Sequence, residues 1–496
     1  MTRPTTLAQL QAHYGVRYRW LLLFSVMTGS MAAIMSSTIV NVAIPDLSRH
    51  FGMGQDRAQW VTSGFMVAMT VSMLTTPWLL SRFGYRRTYV TMMWLLLLGG
   101  MAGGISNDFD LVLVARVVEG LAAGAVQPIP AIIILRAFES HEQGRANGIF
   151  GMCVVLAPAL GPSIGGVLID LFGWRSIFFM VVPFCLVSLW MAHRYVPITG
   201  PGGAVANRDS AALDWRGLLL AAGTTLGLLN GLVAWHNGAA ATALIVLASS
   251  AATLAIFLVW QRRLGKGWKP GDTSKHGPLI YLALFSHRPF AMGSVVAFIY
   301  GTALFGSTYL FPVYMQMGLG LSASFVGTML LPAGIVLAAT IAMVGRLADK
   351  KPAYLLVSTG LFLLAASFAL MVTVGLDTSI WIIASWAVVG RIGLGFVLPS
   401  LSMGSMRGID KSLIPQGAST ISFLRMVGGA AGVSLCAIVL EWRLAAHGES
   451  LAQISPSPAR LAAFNESFLM LAIVCGLAIL AAWRIREKPH SDKTIN

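Results

Sequence analysis

Long apolar segments recur along almost the whole of this 496-residue chain, and they restrict its fold more than any other feature. A helix needs about 20 mostly apolar residues to span the hydrocarbon core of a bilayer. Each segment is continuously apolar rather than alternating, which predicts helices and not a β-barrel. Fourteen segments qualify: 20–44, 58–81, 88–106, 111–135, 146–169, 176–196, 215–235, 239–260, 290–315, 323–345, 353–374, 380–406, 415–440 and 463–483.

Charged residues make up only 11 % of the chain, whereas a soluble domain has about 25 %. This number of charges is too small to cover a water-facing surface. The composition therefore excludes a soluble enzyme, a disordered protein and a fibrous protein. The chain is predicted to be an all-α polytopic membrane protein.

The basic residues predict its orientation. Successive connections between the apolar segments lie on alternate sides of the membrane. Of the 34 Lys and Arg residues, twenty-six lie in the two termini and in the connections on the same side as the N-terminus. Five lie in the connections on the opposite side, and Arg116, Arg391 and Arg425 lie within segments. Basic connections stay in the cytoplasm, so both termini are predicted to be cytoplasmic. We attribute the net charge of +15 to this topology and expect no nucleic-acid partner.

Two longer connections, 197–214 and 261–289, flank the segment pair at 215–260 and divide the chain into three parts. We predict an N-terminal six-helix half at 1–200, a two-helix insertion with a basic loop at 201–289, and a C-terminal six-helix half at 290–496. The halves look like repeats, because the loop at 77–87 resembles the loop at 345–351, and Arg116 and Arg391 recur at nearly the same offset. Transporters built from repeats place their substrate between the halves, near the midplane.

Sequence signatures of enzymes are absent from the chain. It has no GxxxxGK[ST] loop, no HExxH, no GxSxG and no Cys/His cluster. We therefore expect no enzymatic activity, no metal and no cofactor, with a proton gradient as the energy source if the chain transports.

Several motifs occur in a characteristic order. They are Ser37 to Pro45, the basic loop with Arg82, Gly84, Arg86 and Arg87, Arg116-Val-Val-Glu-Gly120, Ala157 to Gly166, and Leu424 to Gly432. Together they resemble the fourteen-helix drug:proton antiporters of the EmrB/QacA type in the major facilitator superfamily.

The resemblance implies the major facilitator fold, with fourteen helices arranged 6 + 2 + 6 in pseudo-two-fold halves. It also implies proton-coupled export of lipophilic or amphipathic small molecules by alternating access across a cytoplasmic (inner) membrane. In double-membrane bacteria, a periplasmic membrane-fusion adaptor and an outer-membrane channel are partners of such exporters. Three residue sets follow from the motifs: a gating motif at Pro158, Gly161, Pro162, Gly165 and Gly166; a cytoplasmic latch at Arg82, Gly84, Arg86, Gly345 and Asp349; and a substrate cavity with Asn41, Gln127, Arg391 and Arg425.

The chain departs from the family pattern at its acids. Ser36 and Ser81 stand where the family has aspartates, and Glu119 stands where it has glutamine. Glu119 is three residues from Arg116, so the two share a helix face and can pair. Burial favours the neutral carboxyl and Arg116 favours the carboxylate, so we expect this pair to carry proton coupling.

Two alternatives remain open at this point. One is a lipid or metabolite exporter on the same fold, and the other is a transport-deficient sensor or assembly homologue that has lost coupling. For a transporter, the excess of Arg116, Arg391 and Arg425 over Glu119 predicts a preference for neutral or weakly anionic lipophiles over dications.

Overall fold

A computed structural model describes residues 6–198, 212–236, 238–269, 276–449 and 457–485. Within these ranges it leaves out the side chains of Gln55, Asp56, Ala159, Leu160, Pro162, Ser163, His236, Ala323 and Ser324. The described residues form helices and connections without any strand.

The helices follow the apolar segments closely. In chain order they are α1 Leu7–Tyr14, α2 Tyr18–His50, α3 Trp60–Ser72, α4 Thr76–Ile105, α5 Phe109–Val126, α6 Ile129–Ala137, α7 Gln143–Phe172, α8 Val181–Tyr195, α9 Trp215–His236, α10 Ala240–Gly265, α11 Arg288–Val313, α12 Ala323–Ala348, α13 Ala353–Met371, α14 Ile380–Met406, α15 Ile414–Ala446 and α16 Pro458–Trp483.

Twelve helical stretches of the described residues are long and apolar enough to cross a membrane. One of them, Trp60–Ile105, has 46 residues and is interrupted at Gly84, whose φ of +78° only glycine adopts readily. At 1.5 Å per residue it is long enough for two crossings. α7 is a further helix of 30 residues. These lengths agree with fourteen crossings, and that number stays a prediction.

The helix contacts repeat between the two halves of the chain. In the first half the pairs are α2–α7, α3–α5, α4–α5, α2–α8 and α4–α8. In the second half the equivalent pairs are α11–α15, α12–α14, α13–α14, α11–α16 and α13–α16. The same pairing in the same order gives two six-helix units, as the recurring motifs predict. The predicted boundary at residue 200 lies outside the described residues, and residue 289 already belongs to α11.

Glycine permits the closest of these contacts, as is usual where helices pack in a membrane. A Cβ at Gly124 of α5 would lie 2.1 Å from the Met69 carbonyl oxygen of α3. A Cβ at Gly301 of α11 would lie 2.0 Å from the Arg425 carbonyl oxygen of α15. Each half therefore depends on backbone-to-backbone packing that a larger residue would disrupt.

The inserted pair, α9 and α10, lies against a seam between the halves. α9 packs on α10 and also contacts α3 and α15. An apolar cluster joins Leu74 and Trp78 of the first half, Leu218 and Phe257 of the insertion, and Phe423 of the second half. The two halves share this seam with the insertion.

On the opposite side, the halves touch through α7 and α12 at one end of the bundle. Gly144 and Gly148 lie so close to Gly345 that a Cβ at Gly345 would be 2.5 Å from the Gly148 Cα. Towards the other end of α12, a Cβ at Gly327 or Gly334 would have no neighbour within 4 Å. We call the end with the α6–α7 and α12–α13 connections the latch end.

Two predicted boundaries need correction. The sequence predicts segments that end at 440 and begin at 463, which places Arg443 and Arg460 in the connection between them. In the structure α15 continues to Ala446 and α16 begins at Pro458, so both arginines are helical. Arg460 is buried because the Met317 carbonyl and the Glu449 carboxylate accept its guanidinium protons, at 3.2 and 3.3 Å.

Candidate functional site

A buried ion pair lies at the centre of the first half. Arg116 and Glu119, both on α5, form a salt bridge, and each side chain is 1 % exposed. The guanidinium also donates to the Val61 carbonyl at 3.4 Å, and its carbon lies 4.1 Å from the centre of the Phe65 ring. The three-residue spacing predicts this pairing, and the structure contains it.

Ser36 of α2 completes the cluster. Arg116 Nη1 donates to Ser36 Oγ at 2.7 Å and Nη2 donates to the Ser36 carbonyl at 3.0 Å. The Ser36 hydroxyl in turn donates to Glu119 Oε2 at 3.3 Å. Two of the three positions at which the chain departs from the family pattern, 36 and 119, are therefore in direct contact. The carboxylate is present in this cluster, on α5 instead of α2.

Two glycines of α4 make room for the carboxylate. A Cβ at Gly99 would lie 2.7 Å from Glu119 Cγ, and one at Gly100 would lie 3.0 Å from Glu119 Oε1. Glu119 Oε1 is buried and has no hydrogen-bond partner. One carboxylate oxygen is thus bonded, while the other is available to hold a proton.

A cavity of about 560 Å³, its mouth included, lies between the halves on the latch side of the bundle. Its walls come from α6 and α7 of the first half and α14 and α15 of the second. The lining residues are Gln127, Ala131, Leu135, Asn147, Phe150, Gly151, Val154, Leu398, Pro399, Ser402, Met406, Ala418, Ile421, Ser422 and Arg425.

Of the four residues predicted to line a substrate cavity, Gln127 and Arg425 line this one. Asn41 and Arg391 do not belong to its wall. Asn41 is exposed on α2 and accepts a hydrogen bond from the Thr62 hydroxyl at 3.1 Å. Glu119 is not in the wall either, so the ion pair and the cavity are separate features.

Arg391 and Arg425 are partly buried and lie on neighbouring helices of the second half. No ion pair involves either of them within the described residues. Both interact electrostatically with Tyr300 of α11, which is fully buried and whose hydroxyl has no hydrogen-bond partner. This cluster of two cations and one phenol has no carboxylate comparable to Glu119.

The predicted gating motif lies in α7, which runs as a helix from Gln143 to Phe172. Cβ atoms at Gly161 and Gly165 would collide with Thr38 and Ile39 of α2, at 2.7 and 2.6 Å. A Cβ at Gly166 would meet nothing within 4 Å, and the Pro162 side chain lies outside the described part. The helix continues through Pro158, and the small residues at 161 and 165 serve its close packing on α2.

The two copies of the predicted latch make different contacts. Asp349 accepts hydrogen bonds from the backbone N–H groups of Gly144 and Arg145, at 2.6 and 3.0 Å, and so connects α12 with α7 of the other half. Burial raises the pKa of the Asp349 carboxyl above its ordinary value, and the two N–H donors oppose that shift. Gly345 permits the close approach that brings these donors within reach.

In the first copy, Arg82, Arg86 and Ser81 contact residues of the first half. Arg82 lies 5.6 Å from the centre of the Trp78 ring, Arg86 donates to the His193 carbonyl, and the Ser81 hydroxyl bonds the Trp78 carbonyl at 2.9 Å. Gly84 provides the left-handed backbone turn between the two crossings of Trp60–Ile105.

Sequence patterns do not identify two polar residues that the structure brings to these sites, Asn147 and Tyr300, or a third, Asp214, that joins the two inserted helices. Asn147 lines the cavity, is 4 % exposed and has an unpartnered amide nitrogen. Tyr300 lies beside the two unpaired arginines. Asp214, before α9, accepts hydrogen bonds from Trp260 Nε1 and Gln261 Nε2 of α10, at 3.0 and 2.8 Å. A polar residue in an otherwise apolar helix is the signal that could have identified Asn147.

Two repeated six-helix units with a cavity between them define a polytopic membrane transport protein. Residues 26–216 and 208–433 match the sequence model of the Major Facilitator Superfamily, so the chain belongs to that superfamily.

Several relatives are resistance proteins. The methylenomycin A resistance protein of Streptomyces coelicolor is 24 % identical, over 94 % of this chain and 92 % of its own. The lincomycin resistance protein LmrB of Listeria innocua is 23 % identical, over 93 % of this chain and 96 % of its own. The multidrug resistance protein B homolog of Mycobacterium tuberculosis is 28 % identical, over 85 % and 76 %. These relatives confirm the resemblance to the drug antiporters.

Solved structures confirm the fold. The human organic anion transporter MFSD10 superposes with a TM-score of 0.66 at 14 % identity, covering 94 % of this chain and 99 % of its own. The proton:xylose symporter XylE gives a TM-score of 0.63 at 11 % identity, covering 95 % and 96 %.

Proposed function

We propose that this protein is a proton-coupled exporter of lipophilic or amphipathic small molecules that works by alternating access. Membership of the superfamily and the resistance relatives support transport in the efflux direction. The observation that carries the coupling proposal is the buried cluster of Glu119, Arg116 and Ser36.

A buried carboxyl beside a guanidinium is suited to proton exchange. Glu119 has one oxygen bonded to Arg116 and Ser36 and one oxygen without a partner, so it can take up a proton without dismantling the cluster. Ionisable groups at bilayer depth are costly and are usually retained for ion or proton handling. Ser36 lacks the family's acid, and its contact with Glu119 supports coupling in this chain in spite of that departure. This argues against a transport-deficient homologue.

The position of the protein in the cell is part of the same proposal. It lies in the cytoplasmic membrane with both termini in the cytoplasm, as the excess of basic residues on that side indicates. The latch end then faces the cytoplasm, where Asp349 joins α12 of the second half to α7 of the first. A periplasmic adaptor and an outer-membrane channel remain partners to be sought in a double-membrane host.

The proposal is tested by transport in proteoliposomes with an imposed pH gradient. Lincomycin and methylenomycin A, named in the resistance relatives, are the first compounds to assay. A substrate of the wild type should drive proton release, read with a pH-sensitive dye, and Glu119→Gln should abolish pH-driven flux while leaving the protein folded.

Glu466→Gln is the matched control. Glu466 is also a helical acid with an arginine partner, Arg443, but it is about one third exposed and lies outside the cavity wall. It should leave coupling intact. Fully pH-coupled flux by Glu119→Gln would remove Glu119 from the mechanism, and binding without any flux in the wild type would favour a sensor.

A further inference from the structure

The cavity between the halves carries a net positive charge. Among the described residues that line it, Arg425 is the only ionisable one, and none is an aspartate or glutamate. Arg391 and Arg425 have no ion-pair partner within the described residues, and Tyr300 is their shared electrostatic neighbour. A cation away from water is costly unless an anion compensates it.

The packing of the second half holds Arg425 at this place. Gly301 of α11 lies against the Arg425 backbone, and no larger residue could stand there without moving α15. Thr302 adds a hydrogen bond from its hydroxyl to the Gly428 carbonyl of α15, at 2.9 Å. The guanidinium is thus on a rigid helix pair, which favours binding of a ligand at a fixed position.

Across the cavity, α7 provides a second donor. The Asn147 amide nitrogen is buried and has no hydrogen-bond partner, although buried polar groups are nearly always bonded. The rest of the wall is largely apolar or aromatic and includes Leu135, Phe150 and Leu398. The cavity combines one cation, the neutral polar side chains of Asn147, Gln127, Ser402 and Ser422, and an apolar surface. Among the neutral groups, the Asn147 amide nitrogen is an unused donor and the Gln127 side-chain oxygen is an unused acceptor.

We propose that this cavity binds amphipathic monoanions, with a carboxylate or phenolate on Arg425 and Asn147 and an apolar or aromatic body against Phe150 and Leu398. Guanidinium groups bind carboxylates through short, charge-assisted hydrogen bonds. The inference rests on the proposed export function for its physiological meaning, because it names the class of compound exported. The binding itself is independent of proton coupling.

Equilibrium binding tests the inference without transport. The purified wild-type protein, in nanodiscs of neutral phosphatidylcholine, is titrated in a calorimeter with three probes of similar size: 2-naphthoate, 2-naphthamide and N-methylquinolinium. We expect 2-naphthoate to bind at least tenfold more tightly than 2-naphthamide, and the cation to bind most weakly. Equal affinities for the three probes, or a preference for the cation, would overturn the inference.

Arg425→Met should weaken the binding of 2-naphthoate at least tenfold. The affinity for 2-naphthamide should stay within a factor of two of the wild-type value. The amide reports whether the cavity is still folded. Arg425→Lys should recover most of the anion preference, and Asn147→Leu should lower 2-naphthoate binding by a smaller factor. Arg443→Met removes an arginine from the same helix outside the cavity and should leave all three affinities unchanged. Undiminished 2-naphthoate binding by Arg425→Met overturns the inference.

Transport of the same probes separates the two proposals. Charge-selective binding without pH-driven flux would retain the anion site and reject the exporter. Flux that is coupled to protons but indifferent to probe charge would retain the exporter and reject the anion site.

Discussion

The two six-helix halves share one pattern of helix packing but differ in how they neutralise buried charge. In the first half, Arg116 is surrounded by the Glu119 carboxylate, the Ser36 hydroxyl and backbone carbonyls. In the second half, Arg391 and Arg425 have the Tyr300 phenol as their electrostatic neighbour and no carboxylate partner among the residues that the structure describes. The repeated backbone therefore carries two different electrostatic designs: Arg116 is neutralised by a carboxylate on its own helix, and Arg391 and Arg425 have no such counter-ion in the described part of the chain.

The largest expected effect comes from removing the carboxylate that neutralises Arg116 in the first half. Glu119→Ala leaves Arg116 buried without its counter-ion, which costs roughly 3–5 kcal/mol for a buried pair. Arg391→Leu removes a cation that has no ion-pair partner, so stability should stay the same or rise. Thermal unfolding of the purified variants measures both. Equal losses in the two variants would mean that the halves do not differ in this respect.

Moving the acid within the first cluster sharpens the comparison. In Ser36→Asp combined with Glu119→Gln, the carboxylate lies on α2, still within reach of Arg116, whose Nη1 is 2.7 Å from Ser36 Oγ. We expect the double variant to recover most of the pH-driven flux that Glu119→Gln alone loses.

The control for that exchange is Ser37→Asp combined with Glu119→Gln. Ser37 is adjacent in sequence, but its hydroxyl bonds the Ile34 carbonyl at 2.6 Å and not the cluster. Flux should stay lost. Recovery with an acid at 37 would mean that position in the cluster is unimportant.

Substitution of glycines tests the close helix packing that the two halves share. Gly124→Ala and Gly301→Ala place a methyl group against backbone carbonyls at 2.1 and 2.0 Å, so each should lower stability by about 1–3 kcal/mol. Gly301→Ala should also weaken 2-naphthoate binding, because it displaces the Arg425 backbone. A Cβ at Gly327 would have no neighbour within 4 Å, so Gly327→Ala should change neither the unfolding temperature nor the affinity for 2-naphthoate.

The smallest effect concerns the two latch copies. Asp349→Ala removes the acceptor of two N–H groups of α7 that water can partly replace, so we expect about 0.5–1.5 kcal/mol in favour of an open latch end. Ser81→Ala, the equivalent change in the first half, should stay within about 0.5 kcal/mol. Distances between spin labels at Ser140→Cys and Lys351→Cys, in a background without the native cysteines, measure opening. Similar shifts in both variants would contradict a one-sided latch.

Much of this architecture could be predicted from the sequence. Apolar segments of about 20 residues identify the helices, and the three-residue spacing of Arg116 and Glu119 predicts their pairing because both lie on one helix. The contacts of Ser36 with Glu119, and of Gly301 with the Arg425 carbonyl, join residues far apart in the chain. Periodicity has no information about which helices become neighbours, so these contacts required the structure.

Helix ends were harder to predict for a related reason. A charged residue in a sequence normally indicates a connection, and Arg460 was assigned to one. Its burial is stabilised by Met317 and Glu449, which are distant in sequence, so its place inside α16 depends on partners that a local pattern does not identify.

The seam occupied by α9 and α10 affects how the halves can move. Glycines at 223, 227 and 231 face α10, and Asp214 bonds Trp260 and Gln261, so the pair is one tightly joined unit. If the halves tilt relative to each other, α9 and α10 must move together with one half. Their apolar face must then slide along the other half. The edge formed by α7 and α12 contains neither of these inserted helices and is joined instead by the Asp349 hydrogen bonds and the glycine contacts at the latch end. The two edges of the joint are therefore mechanically unequal: one is filled along its length by a separate helix pair, and the other is fastened at one end.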